Sequence, residues 1–208
     1  MKRTLYIFFF VQCLAVCCCA QTAQQVVDKL FAKLSSETLE CEFSATVTTD
    51  NNNRPATALK GTLQMRDKVF HASVFDTELS YDGSTLATYD AETNELTLSY
   101  PTPEELQEGN PLLYAKAMAE GCTATFAPEQ PQGRYFLLLL PKIAGSEIVN
   151  ISITADKSSL LPETIVVRGT KDTTTIRLSG QRWTSEAPTT TIPTHNENTE
   201  PPFINDLR

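Results

Sequence analysis

A chain of 208 residues, 41% hydrophobic and 20% charged, has the apolar content for one domain with a buried core. Its formal charge of −8 repels nucleic acid, which is normally bound by basic patches, and it gives no electrostatic help on an anionic membrane surface. With only two histidines, His71 and His195, a histidine metal cluster is not expected, and no cofactor is called for.

Lys2 and Arg3, an apolar run from Leu5 to Val16 and the end Cys18-Cys19-Ala20 are the three parts of a secretory signal peptide, with cleavage expected after Ala20. The apolar run is shorter than the roughly twenty residues a membrane-spanning helix needs. A second reading cleaves before Cys17 and leaves a lipid-anchored chain. Cleavage after Ala20 leaves 188 residues (208 minus 20) and a charge of −10, because Lys2 and Arg3 leave with the signal. It also leaves only Cys41 and Cys122. In an oxidising compartment these two are candidates for a disulfide, and equally for two small apolar core residues.

Thr22 and Gln25 form a capping box, and Val27, Leu30, Phe31 and Leu34 share one helical face. From Glu40 the period changes to two: Cys41, Phe43, Ala45 and Val47 alternate with polar residues, and Leu59, Gly61, Leu63 and Met65 do the same. The Asp50 to Pro55 segment connects these two strands; it lacks the later glycine and carboxylate of a calcium loop. Phe70, Ala72 and Val74 continue the pattern against Val69, His71, Ser73 and Phe75 in a third strand.

Asp82-Gly83 is a turn dipeptide, and the runs Leu86 to Tyr89 and Glu95 to Tyr100 form a hairpin around Ala91 to Asn94. Thr102, Pro103 and Glu105 then start a helix with a capping box, and Asn110-Pro111 starts another. The second, Leu112 to Ala119, is apolar nearly all round and must lie against something apolar.

Strands are expected at 123–127, 135–140, 148–155, 162–168 and 173–178. The run Y-F-L-L-L-L from Tyr135 reads as a strand covered on both faces. About ten to eleven short strands with turns indicate an antiparallel sheet that curls or closes. After Trp183 the composition becomes that of an extended or disordered tail, with a less polar tip from Phe203 to Arg208 that could dock back. No nucleophile elbow, zinc-protease motif, phosphate loop or paired Cys-x-x-Cys occurs, so an enzyme is not expected.

The series D-G-x-T-L-x-x-Y, then N-E-(apolar)-T-(apolar), then a T-P-E-E-L helix ending in N-P, resembles the outer-membrane lipoprotein carrier proteins, the LolA family, in a divergent form. The resemblance extends more weakly from Ala23 to Trp183. It implies a mainly β fold, an open antiparallel β-barrel with a helical lid. Residues 1–20 would be the signal, 21–183 the carrier domain and 184–208 a Pro/Thr-rich tail.

The implied function is that of a periplasmic, monomeric carrier that holds lipoprotein acyl chains in an apolar cavity and moves them from inner to outer membrane. Its partners would be acylated lipoproteins and an inner-membrane releasing transporter; the outer-membrane acceptor is not specified. The candidate lining is Phe43, Val47, Leu63, Met65, Phe70, Val74, Leu96 and Leu98, with Leu113 and Met118 from the lid. Arg66, following Gly61-Thr62-Leu63-Gln64-Met65, falls near a basic residue that holds the lid in the family, although Arg66-Asp67-Lys68 departs from the arginine-proline pair often found there. Periodicity by itself leaves open a filled core. A lipid- or lipoprotein-sensing module of the same fold also stays open, as does a small envelope hydrolase.

Overall fold

The computed structural model describes residues 21–49, 58–191 and 200–208. The expected signal segment, the Asp50 to Pro55 loop and His195 lie outside the described residues. Helix α1 (Ala23–Ser36) begins at the capping box, in which the Thr22 hydroxyl accepts from the Gln25 amide and the Gln25 side chain accepts from the Thr22 amide. A first meander follows: β1 (Thr38–Thr49), β2 (Leu59–Arg66), β3 (Val69–Val74), β4 (Thr77–Tyr81), β5 (Leu86–Asp90) and β6 (Glu95–Ser99).

Two short helices, α2 (Pro103–Gly109) and α3 (Pro111–Glu120), carry the chain to a second meander of β7 (Cys122–Phe126), β8 (Arg134–Pro141), β9 (Ile148–Asp156), β10 (Pro162–Gly169) and β11 (Asp172–Thr184). The C-terminal tip forms β12 (Phe203–Asp206).

All twelve strands among the described residues belong to one sheet, in the order β12-β6-β5-β4-β3-β2-β1-β11-β10-β9-β8-β7. Its two ends, β12 and β7, do not pair with each other, so the sheet is open. The two meanders join along β1 and β11, where Phe43 faces Leu178 and Ala45 faces Ile176. A bulge between Glu40 and Glu42, opposite Gly180 at φ +60°, bends that seam. Every pairing is antiparallel except that of β12 with β6, which is parallel.

Two strands exceed the sequence expectation. β4 was hidden because the β3–β4 turn consists of Phe75 and Asp76, with Phe75 in the left-handed region at φ 53°. Phenylalanine is not a turn residue that sequence reading looks for. The tip from Phe203 does dock back, as expected, but its strand conformation as β12 was not announced, because no hydrophobic pattern marks a four-residue strand beyond a polar tail. Both caps expected at Thr102 and Asn110 are present.

Asn110 is completely buried. Its carboxamide oxygen accepts from the Leu112 and Leu113 amides at 3.0 and 3.2 Å, and its nitrogen donates to the Met65 sulfur at 3.6 Å. It thus starts α3 and pins the α2–α3 junction to β2.

Cys41 and Cys122 are free and buried, which corrects the disulfide alternative. Four strands, β11, β10, β9 and β8, separate their two strands in the sheet. Burial pushes the Cys41 thiol up to about 12 from an ordinary 9.0, and burial also raises Cys122, with Lys142 pulling the other way.

Two outcomes follow from these contacts. Asn110→Ala removes a helix cap and is expected to lower stability by about 1–2 kcal/mol in urea unfolding; a loss within 0.3 kcal/mol or so would show that α3 does not depend on this cap. The unfolded chain loses the Cys41 proton near 9.0, whereas the folded chain keeps it to about 12. Stability from this group is therefore complete below pH 9 and declines as pH rises from 9 toward 12. Replacing Cys41 by Ala should flatten that decline in unfolding curves taken at successive pH values, and an unchanged slope would assign the alkaline loss to other groups.

Candidate functional site

Because opposite residues in a ladder share a face, the register alone traces the concave wall across the sheet. Leu39, Cys41 and Phe43 of β1 stand opposite Met65, Leu63 and Gly61 of β2. Those in turn face Phe70, Ala72 and Val74 of β3, and then Tyr81, Leu79 and Thr77 of β4. Gly61 is required here, since a Cβ at that position would meet the Ser73 carbonyl oxygen at 2.1 Å. The apolar wall ends at Leu86 of β5. Further out the inward residues are Thr88 and Asp90, then Ser99, Thr97 and Glu95.

The same register corrects part of the expected lining. Leu96 and Leu98 share their face with Ala87 and Tyr89, so they point to the convex side, where Ile204 of β12 lies beside Leu96. Alternation within β6 showed that one face was apolar, but not that it was the outer one. Phe43, Leu63, Met65, Phe70 and Val74 lie in the core as expected, and Leu113 and Met118 rest half-buried against it. Val47 is on the concave face but 43% exposed, beyond the cover of the helices.

The second meander supplies an equal share of the wall, which the candidate set omitted. Ile176 faces Ile165, which faces Ile153, which faces Leu137; Val167, Ile151 and Leu139 form the next row. These seven residues alternate in sequence as clearly as those of β1 and β2, and that alternation was the signal available. In β8 the expected cover on both faces is not found. Tyr135, Leu137 and Leu139 face inward, while Leu140 on the convex side is 44% exposed.

Helix α1 lies on the concave wall and buries Ala23, Val26, Val27, Leu30 and Leu34. α3 adds Leu112, Ala115 and Ala119, and α2 adds Leu106. Between Leu30, Leu34, Leu112, Ala115, Ile153 and Ile165 only about 20 Å³ is left, room for roughly one water. In this conformation the interior is filled.

Open space lies on both sides of α3. A cavity of about 340 Å³ is bounded by Tyr81, Pro101, Pro103, Leu106, Leu113 and Ala117, with Lys68, Gln107, Lys116 and Glu120 completing it. A second, of about 500 Å³, runs between Tyr114, Met118 and Ile148 and the polar segments 146–147 and 169–172.

The β2–β3 turn ties three parts of the chain together. The Asp67 amide donates to the Leu34 carbonyl at the end of α1, and Lys116 of α3 pairs with the Asp67 carboxylate at 3.3 Å. Arg66 donates to the Thr38 hydroxyl at 3.1 Å and to the carbonyls of Ser185 and Glu186 at 2.6 and 2.5 Å. The lid contact at this turn is therefore made by Asp67 and Lys116, while Arg66 holds the C-terminal segment. That segment continues over the convex face: Thr189 donates to Gln64 and accepts from Ser80, and Pro188 is buried.

No cluster of three or more metal-ligating side chains occurs among the described residues, and no described helix is long and apolar enough to cross a membrane. No family model matches the sequence, and no curated protein matches it either. Solved structures do. An uncharacterized conserved protein from Thermus thermophilus is 10% identical with a TM-score of 0.51, over 88% of this chain and 98% of that one.

LprF from Mycobacterium bovis is 12% identical with a TM-score of 0.47, over 82% and 96%. A LolA superfamily protein from Nitrosomonas europaea is 7% identical with a TM-score of 0.38, over 78% and 94%. At such identities a likeness concerns the fold alone. The chain is an open, helix-covered, mainly β sheet, and it shares that fold with the Thermus protein.

Proposed function

We propose that this chain is a periplasmic carrier that binds the acyl chains of lipoproteins and moves them from the inner to the outer membrane. One observation supports the reading above others: a continuous apolar concave wall is covered by three short helices, with cavities on either side of α3. Helices of 14, 7 and 10 residues are marginal on their own in water and persist because they rest on that wall. A ligand that displaces one of them must satisfy the same apolar surface, and an acyl chain does so.

The magnitudes agree with such an exchange. Withdrawing a chain of about fifteen methylenes from a bilayer costs about 12 kcal/mol, at about 0.8 kcal/mol per methylene, and only a deep apolar site offsets that in water. α3 is held by the burial of Leu112, Ala115 and Ala119, which an acyl chain replaces in kind, by the Asn110 cap and by one ion pair. The Lys116–Asp67 pair, with Asp67 53% exposed, contributes less than about 1 kcal/mol. Acyl chains can thus lift α3 without breaking the sheet. The sequence resemblance further implies that cargo arrives from an inner-membrane releasing transporter.

Native mass spectrometry of the protein purified without detergent should show bound acyl species, and the protein should move an acylated lipoprotein from inner-membrane to outer-membrane vesicles. A bare mass, together with no uptake of a fluorescent fatty acid, would sink the carrier reading in favour of a filled core. Lys116→Ala should speed uptake of that fatty acid several-fold, by up to roughly the factor of five that 1 kcal/mol represents; unchanged kinetics would show that this pair does not hold the lid.

A further inference from the structure

We infer that the cavity between α2, α3 and the β2–β3 turn takes a single acyl chain ending in a carboxylate. This rests on the lipid-binding reading above and names the ligand that the closed form accepts. At about 340 Å³ the cavity is at the small end of ligand pockets, which run from roughly 300 to 1,000 Å³. One chain fits it more readily than the several chains of a lipoprotein. Tyr81, Leu106, Leu113, Pro101, Pro103 and Ala117 give that chain an apolar bed.

The polar part of the wall is rich in donors. Lys68 is exposed and makes no ion pair among the described residues. Among the described residues Lys116 pairs only with Asp67, which is itself 53% exposed and so is readily replaced as a partner. The Tyr81 hydroxyl and the Gln107 amide donate no hydrogen bond to any described residue, and both line the cavity. Glu120 is the one acidic residue of the lining, against two lysines, in a chain whose formal charge is −8. An ionised carboxylate accepts hydrogen bonds and donates none. It matches this set of donors, drawing Lys116 away from Asp67 and engaging Lys68 at the solvent side.

The test is calorimetric titration of the purified protein with dodecanoate and with dodecanol, two chains of equal length that differ in the head. Dodecanoate should bind at least about tenfold more tightly, the contribution of one charge-assisted hydrogen bond. The double variant Lys68→Gln, Lys116→Gln should bind dodecanoate and dodecanol equally; because the two are compared on the same variant, any effect of losing the Lys116–Asp67 pair on both ligands cancels. Leu113→Trp, which fills the cavity, should abolish binding of both, with far-UV circular dichroism confirming that each variant is folded.

Equal affinity for the two amphiphiles, or a preference that survives the double variant, would overturn carboxylate recognition and leave the carrier reading standing. Undiminished binding to Leu113→Trp would place the ligand elsewhere and overturn the assignment. If neither amphiphile binds but an acylated lipoprotein does, the assignment falls alone; if none of the three binds, it falls together with the carrier reading.

Discussion

A single open sheet with an apolar concave face cannot stand in water by itself. Among the described residues no second sheet covers the face, so everything else follows from how it is covered. Burying the rows from Leu139 through Ile176 and Phe43 to Tyr81 supplies the main hydrophobic stabilisation, at roughly 25 cal/mol per Å² of apolar surface. The cover is three helices, each started by its own cap and each fitted to part of the wall. α1 packs on β7, β1 and β2, α3 reaches from the β2–β3 turn to β9 and β10, and the short connection through Asn110 fixes where α2 and α3 meet β2. A cover built from separate small pieces has seams, and both cavities flanking α3 are such seams.

The β2–β3 turn is where the pieces are fastened. Arg66, Asp67 and Lys68 are consecutive, yet they serve the C-terminal segment, the helices and the lip of a cavity respectively. Family resemblance drew attention to Arg66 as a lid residue, but geometry gives that part to its neighbour. The guanidinium projects from β2 next to Thr38 and meets the chain as it leaves β11. Holding backbone carbonyls with a planar fork of donors suits arginine, whereas a single ion pair to an exposed carboxylate suits lysine.

Much of this was legible in the sequence. Capping boxes at Thr22 and Thr102, the Asn110-Pro111 start and the alternation from Cys41 to Met65 each specify local structure through hydrogen bonding or period. The concave residues Phe43, Leu63, Met65, Phe70 and Val74 followed from that alternation. What the sequence could not show was which side of the sheet a given alternation faces, since phase passes between strands only through turn length and register. Leu96 and Leu98 were misplaced for this reason. Phe75 concealed a turn because its left-handed conformation is imposed by the hairpin and not favoured by the residue. Whether the interior is hollow or filled is likewise a matter of how deeply α1 sits, which Val26, Val27 and Leu30 decide by packing in three dimensions.

The seam between β1 and β11 has a consequence for how the molecule comes to be. Phe43 meets Leu178, so the centre of the sheet is made by residues from opposite ends of the chain. Closing so long a loop is entropically demanding, and topologies rich in such contacts fold slowly. Until β11 is in place, β1 remains an edge strand and half of the apolar wall is without its counterpart. The first meander therefore spends the whole interval of synthesis and collapse with a sticky surface, during which aggregation competes with assembly.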